Sequence, residues 1–386
     1  MTALPLLTDQ CTIEPYRLTG TPLVAPRGSP SWNRTAFAAA HVVADPLSNA
    51  DPSGEPAIDW DRTLAYRAYL LDQGFSIAEA MDTSQRGMGL DWPGAHDLIA
   101  RSLKAAGPRA GMIFSGVGTD QLAPSDVRSL DDVIRAYLDQ LHAVQKLDGR
   151  VILMASRALA RIARAPGDYL KVYARVLAEA DKPVILHWLG EMFDPALAGY
   201  WGGGDFAQTM ETCLAAITEN PAKVDGIKIS LLDDRKEVVM RRRLPRGVRM
   251  YTGDDFNYPE LIAGDAQGFS HALLGIFDGI APAAAIALTA LASGDRATYD
   301  RLMAPTVPLS RLIFRAPTQF YKTGIVFLAW LNGFQDHFVM IAGAQAMRPL
   351  PYFSGIFRLA DQAGLLRDPE LAAKRMRALN ALYGVG

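Results

Sequence analysis

An α/β architecture is expected of this chain: a (β/α)8 TIM barrel with an N-terminal arm and a C-terminal helical subdomain. Three observations carry that expectation. From about Thr35 onward, short apolar runs alternate with longer amphipathic ones, the pattern of βα units repeated around a parallel sheet. Eight such runs precede a stretch with almost wholly helical patterning. No Gly-x-Gly-x-x-Gly follows the first run, which disfavours a doubly wound dinucleotide-binding sheet. At 386 residues the chain is long enough for one large barrel with additions.

The elements follow in order. Residues 1–33 are rich in Pro, Gly and Thr without a sustained period, so an irregular lead-in arm is expected. The barrel is assigned to 34–293. Its first strand lies in Thr35–Val43, and a helix over Trp60–Gln73 is opened by Asp59, a good N-cap. Phe75–Ala80 is the second strand. Pro93–Ala106 is a helix whose proline sits in the first turn, where a missing N–H costs little. Strands three and four are Gly111–Ser115 and Val151–Met154, with helices over Leu130–Leu147 and Asp168–Ala180. Pro183–Trp188, Val224–Ile229 and Val248–Thr252 are strands five to seven, and the eighth lies within Ser270–Phe277. Helical spacing or capping then marks Pro282–Ser293, Asp295–Met303, Phe320–Leu331, Pro351–Ala363 and Pro369–Leu382. Residues 294–386 therefore form a helical extension.

Composition excludes several function classes. Charged residues are 21% and the AVILMFWYC set 49%, the balance of a folded chain rather than a disordered one. The formal net charge of -2 gives no basic field for nucleic acid or anionic lipid. The Arg241-Arg242-Arg243 cluster reads as a solvated helix end, where cations meet the negative pole of the dipole. Cys11 and Cys213 suggest a reducing compartment, and without a C-x-x-C pair no structural zinc is expected. Met1–Gln10 lacks a signal-peptide pattern, and Thr323–Leu331 is roughly half a bilayer span. A cytoplasmic protein with no membrane, nucleic-acid or cofactor partner is expected.

In such a barrel, chemistry belongs to the C-terminal ends of the strands. The polar residues there are His41, the Asp82-Thr83-Ser84-Gln85-Arg86 turn, Thr119, Asp120, Ser156, Arg157, His187, Lys228, Asp254 and Asp255. Lys228 is the sharpest of them. It lies in Asp225-Gly226-Ile227-Lys228-Ile229-Ser230, where burying an ammonium is costly and a neutral, nucleophilic amine is favoured. Such an amine attacks a ketone or aldehyde, and the iminium is an electron sink for breaking or making C–C bonds. The alternative is a structural lysine paired with a carboxylate such as Asp254.

Five local motifs recur in one order: Thr83-Ser84 after strand two, Gly116-Val117-Gly118-Thr119 on strand three, Gly226-Ile227-Lys228 on strand six, Thr252-Gly253-Asp254-Asp255 on strand seven, and Ala281-Pro282 after strand eight. Together they resemble the dihydrodipicolinate synthase / N-acetylneuraminate lyase superfamily of class I aldolases, in a divergent branch, from about Thr35 to Pro282. The resemblance implies a Schiff-base-forming lyase, an aldolase or dehydratase, acting on a keto acid or keto-sugar-like carbonyl. Lys228 would form the imine, and Thr83 and Ser84 would hold a substrate carboxylate. It also implies a homo-oligomer, a dimer or tetramer.

Departures from the family pattern matter as much. The strand-four tyrosine that relays protons is missing from Val151–Arg164, where Ser156 and Arg157 stand instead. The strand-five arginine is replaced by His187-Trp188-Leu189-Gly190-Glu191. His187 is the candidate substitute acid/base, since imidazole titrates near neutral pH; otherwise it is a hydrogen-bonded rim residue. Arg86 and Arg157 are candidates for carboxylate binding, and His41 for a weaker role at the site. Asp254 and Asp255 would bind substrate hydroxyls or cap the strand-seven turn. Tyr200-Trp201-Gly202-Gly203-Gly204-Asp205 would be a mobile lid, a sugar-stacking platform or a plain loop. Two other readings stay open: a metal-dependent isomerase or aldolase using Asp82, His41, Glu79 and His187, and a barrel that binds ligand without catalysis.

Overall fold

Eight parallel strands close into a barrel in the computed structural model, which describes residues 3–25, 28 and 31–385. A two-stranded antiparallel hairpin precedes it, β1 (Leu4–Leu7) and β2 (Ile13–Tyr16). The barrel strands are β3 (Ala36–Ala39), β4 (Ser76–Glu79), β5 (Ile113–Val117), β6 (Arg150–Leu153), β7 (Val184–Leu189), β8 (Val224–Ser230), β9 (Arg249–Thr252) and β10 (His271–Leu274). They are hydrogen-bonded in sequence order, and β10 pairs with β3 to close the ring. Both faces of these strands are covered, which is why they read as continuous apolar runs.

Side chains alternate between the barrel interior and the surrounding helices. Phe37, Ala39, Ala78, Phe114, Ile152, Ile185, Tyr251 and Leu273 fill the interior. Tyr251 fits because Gly226 lies beside it: a Cβ there would stand 2.6 Å from the tyrosine ring. The same parity carries His187 and Lys228, directly paired between β7 and β8, inward near the C-terminal rim.

The helices of the barrel are α1 (Trp60–Asp72), α2 (Trp92–Ala106), α3 (Leu130–Lys146), α4 (Arg157–Ile162), α5 (Pro166–Ala178), α6 (Phe206–Thr218), α7 (Asp234–Arg241), α8 (Tyr258–Ala263), α9 (Ile276–Gly279) and α10 (Ala281–Ala292). Asp59 caps α1 through the Arg62 N–H. The extension holds α11 (Arg296–Met303), α12 (Thr306–Ile313), α13 (Tyr321–Leu331), α14 (Leu350–Gln362) and α15 (Pro369–Leu382). It reaches the barrel mouth: Ser310 donates to the Asp255 carbonyl, and Gln85 Nε2 to that of Ile341 at 2.9 Å.

Four sequence expectations change. The arm is not irregular throughout, because it forms the hairpin and is tied to the extension: Asp361 accepts from Tyr16 Oη and the Thr19 N–H, both at 2.8 Å. The first strand stops at Ala39, since the chain turns there to carry His41 to Asp278. The third strand begins at Ile113, after a 3-10 turn over Gly107–Met112. Of the three readings of the Tyr200-Trp201 segment, the packing leaves the loop and removes lid and platform. Trp201 is fully buried and stacks on Tyr173 with ring centroids 4.6 Å apart, and a Cβ on Gly203 would stand 2.6 Å from the Thr209 nitrogen.

Candidate active site

Lys228 is buried on β8, with Asp255 from the turn after β9 and Asp82 from the turn after β4 as its electrostatic neighbours. Burial drives its pKa down, and the two carboxylates partly oppose that. Among the described residues it forms no ion pair with Asp254. The Asp254 carboxylate is occupied by the N–H groups of Phe256 (2.8 Å) and Asn257 (3.0 Å) and by Asn257 Nδ2 (2.9 Å), which makes it the lock of the strand-seven turn. Gly253 makes room for the lysine: a Cβ there would lie 2.7 Å from Lys228 Cε and 2.3 Å from Ser230 Oγ.

Asp255 accepts the Ile276 N–H at 2.9 Å, and burial pushes its pKa up to about 7 against the pull of Lys228. Burial thus shifts the two groups toward one another, the carboxyl upward and the ammonium downward, as at sites of acid–base chemistry. His187 places Nε2 3.3 Å from Ser230 Oγ and leaves Nδ1 buried without a partner. Burial, and then Lys228, hold its pKa well below the usual imidazole range. It is therefore neutral near pH 7, and the same burial that keeps it neutral makes it a weak proton acceptor.

Above these groups lies a cavity of about 440 Å³ lined by Asp82, Arg86, Thr119, Asp120, Arg157 and His187 among others. Lys228, Thr83, Ser84, Asp254, Asp255 and His41 do not line it. Thr83 Oγ1 instead meets Tyr321 Oη at 2.8 Å. Ser84 donates to the Ala40 carbonyl at 2.7 Å. Arg86 uses all five donors inside the protein, on both Asp120 oxygens, the Ala80 and Gly116 carbonyls and Gln140 Oε1. That leaves it no free fork for a substrate carboxylate, and it braces strands two and three of the barrel instead. Arg157 binds Asp194 through Nε at 2.5 Å and is otherwise half-exposed at the rim.

His41 is held away from the cavity, its Nδ1 2.9 Å from Asp278 Oδ2 and its N–H on the same carboxylate. Glu79 is spent on Arg67 in a bidentate pair at 2.8 and 2.9 Å. The set Asp82, His41, Glu79 and His187 therefore does not converge, and among the described residues no three His, Cys, Asp or Glu side chains are grouped to hold a metal. The Arg241-Arg242-Arg243 cluster ends α7 and is paired with Asp265 and Glu211.

Sequence reasoning missed Tyr321 and Lys322, which the first turn of α13 brings to the mouth. Tyr321 stacks on Phe314 at 4.3 Å and feels Asp82 and Asp255, the carboxylates that surround Lys228. The sequence shows only a lysine at the head of an apolar run; that α13 is buried along its whole length is known once the chain has folded.

The family model described as "Protein of unknown function (DUF993)" matches residues 4–385. The chain belongs to that family. No functionally curated protein matches it in sequence. Solved structures with this fold include a dihydrodipicolinate synthase from Thermotoga maritima, 14% identical with TM-score 0.64, which covers 86% of this chain and 99% of its own. The chloride-inhibited dihydrodipicolinate synthase from Acinetobacter baumannii complexed with pyruvate is 17% identical with TM-score 0.62, covering 86% and 99%. A prophage protein of the dihydrodipicolinic acid synthase family from E. coli K12, also in complex with pyruvate, is 11% identical with TM-score 0.63, covering 92% and 100%. The barrel and its helical extension thus share the architecture of dihydrodipicolinate synthases, as the sequence motifs suggested. No helix among the described residues is long and apolar enough to cross a membrane.

Proposed function

We propose that this protein is a Schiff-base-forming lyase that cleaves or dehydrates a keto acid or keto-sugar-like substrate through Lys228. The observation that carries the reading is the buried Lys228–Asp255–His187 cluster at the C-terminal end of the barrel. The fold shared with dihydrodipicolinate synthases supports it by analogy.

Neutral Lys228 attacks the carbonyl carbon, forming the C–N bond while the carbonyl electron pair moves to oxygen. Protonation of that oxygen and loss of water leave an iminium; the proton taken up comes from Asp255 or through the Thr83–Tyr321 hydroxyl pair. The iminium accepts the electron pair of the C–C bond broken in a retro-aldol step, or of the α-C–H bond broken before dehydration, and an enamine results. The proton released passes to Asp255, ionised once it has given up its own, or to the Thr83–Tyr321 hydroxyl pair. In the retro-aldol branch the enamine carbon is then protonated. In the dehydration branch the enamine electrons expel the β-hydroxyl, which takes up a proton and leaves as water. Hydrolysis of the imine returns free Lys228 in both. Tyr321 fills the relay role for which strand four offers no tyrosine.

The test is borohydride reduction in the presence of pyruvate and a panel of keto acids and keto sugars, read by peptide mass spectrometry. An adduct on Lys228 that needs the carbonyl compound, and that is absent in Lys228→Ala, is the expected result. Undiminished turnover by Lys228→Ala on any substrate found would sink the reading.

A further inference from the structure

A second cavity of about 320 Å³ opens beside the first and shares Asp82, Arg86, Gly87, Arg157 and Asp194 with it. Lys322, from α13, and Arg157, from α4, both line it, close enough to act on one another electrostatically. Lys322 is 4% exposed, yet its ammonium has for hydrogen-bond partners the Gln319 carbonyl at 3.1 Å and the Met88 thioether at 3.2 Å. Among the described residues no carboxylate pairs with it. Burial pushes its pKa down to about 8, and Arg157 adds to the fall while Asp82 and Asp194 oppose it.

Arg157 gives Nε to Asp194, and its Nη1 and Nη2 reach toward Gly87, 3.6 and 4.0 Å from where a Cβ on that glycine would stand. The fork thus lies over a residue with no side chain. Asp194 is neutralised by Arg157, and Arg86 by Asp120. Of the other two carboxylates, Asp91 caps α2 by accepting the Gly94 N–H at 3.0 Å, and Asp82 acts on Lys228 and Tyr321. The ammonium of Lys322 and the Nη groups of Arg157 thus stand at the second cavity without a carboxylate in hydrogen-bond contact, Asp82 acting on Lys322 through space.

The geometry points to a distal oxyanion subsite formed by Lys322 and Arg157, so that the substrate carries a second carboxylate or a phosphate at the end remote from its carbonyl. This rests on the Schiff-base reading for the position of the carbonyl, but not for the binding of the anion. An oxyanion there completes the donor set of a buried ammonium and a guanidinium fork, both of which favour charge-assisted bonds.

Two measurements on the full chain test it. In the first, Lys228 is trapped with borohydride over a concentration series of 2-oxoglutarate or 2-oxopentanoate, which differ in the terminal carboxylate. Half-maximal trapping is expected at a concentration at least about tenfold lower for 2-oxoglutarate, and Lys322→Gln and the half-exposed Arg157→Gln should each narrow that gap. Equal concentrations in the wild type, or a gap that survives both substitutions, overturn the subsite. The second is calorimetric titration with succinate and with inorganic phosphate, which needs no imine. Binding that both variants weaken supports the subsite even if Lys228 is never trapped, and the tighter anion tells carboxylate from phosphate. No binding of either anion overturns the subsite even if Lys228 is trapped with every keto acid.

Discussion

Asp255 and Tyr321 decide how Lys228 works, and each can be isolated. The Asp255 carboxylate raises the Lys228 pKa against burial, so Asp255→Asn should move the alkaline rise of borohydride trapping to lower pH. A profile unchanged in position would mean that the carboxylate does not act on the amine. Tyr321→Phe should lower kcat by roughly 10²-fold or more, and adding Thr83→Val should cost little further, because hydroxyls that pass one proton act as a unit. Full additivity of the two losses in steady-state kinetics counts against the relay. Lys228 and His187 were legible because a polar residue inside an apolar β-run stands out by itself. Tyr321 and Lys322 were not, because their place at the mouth depends on how α13 packs against Thr83, far away in sequence, with Phe314 stacked on Tyr321. Arg86 and His41 misled for the opposite reason: their positions were right, but Asp120 and Asp278, which absorb their polar groups, are visible once the chain has folded.

Strands of a parallel barrel are read from apolar runs because both of their faces are covered, and each of the eight runs contains or overlaps a barrel strand. What periodicity does not report is where a run is cut by tertiary demands, as at Ala39, or where pairing is stabilised from elsewhere, as in the β1–β2 hairpin held by α14 through Asp361. Helix α12 escaped notice because Pro305 and Pro308 flank and enter its first turn, where proline is tolerated. The turn after β9 is where element geometry and chemistry meet. A methyl group at Gly253 would collide with Ser230 Oγ, the Ile229 carbonyl at 2.7 Å and Lys228 Cε. Gly253→Ala should therefore cost about 1–3 kcal/mol of stability, measured by urea denaturation, and should slow or abolish trapping at Lys228 in the protein that remains folded. Normal trapping in that variant would show that the lysine does not need the space the glycine leaves.

The whole molecule carries several buried titratable groups whose effects on stability oppose one another, and Glu237 separates them. It sits on α7 against the outside of the barrel, accepting from Ser270 Oγ at 2.6 Å through Oε1, with Oε2 buried and unpartnered. Burial raises its pKa to about 8, from an ordinary 4.5. The folded protein thus holds this proton more tightly than the unfolded chain. The resulting stability is present in full below pH 4.5 and is lost as the pH rises through about 8. Asp255 adds a loss of the same sign from its ordinary 3.8 up to about 7. His187, whose pKa is lowered, works the other way and weakens the fold as the pH drops below its ordinary 6.5. Raw stability curves mix these terms, whereas the difference between wild type and Glu237→Gln does not. That difference should move in favour of the variant by up to about 1.4 kcal/mol per pH unit between roughly pH 5 and pH 8, levelling off above. Urea denaturation of both proteins at pH 5, 6, 7 and 8 measures it. A difference independent of pH would mean that Glu237 titrates as an ordinary surface carboxylate, and that α7 stands further from the barrel wall than its packing against Ser270 requires.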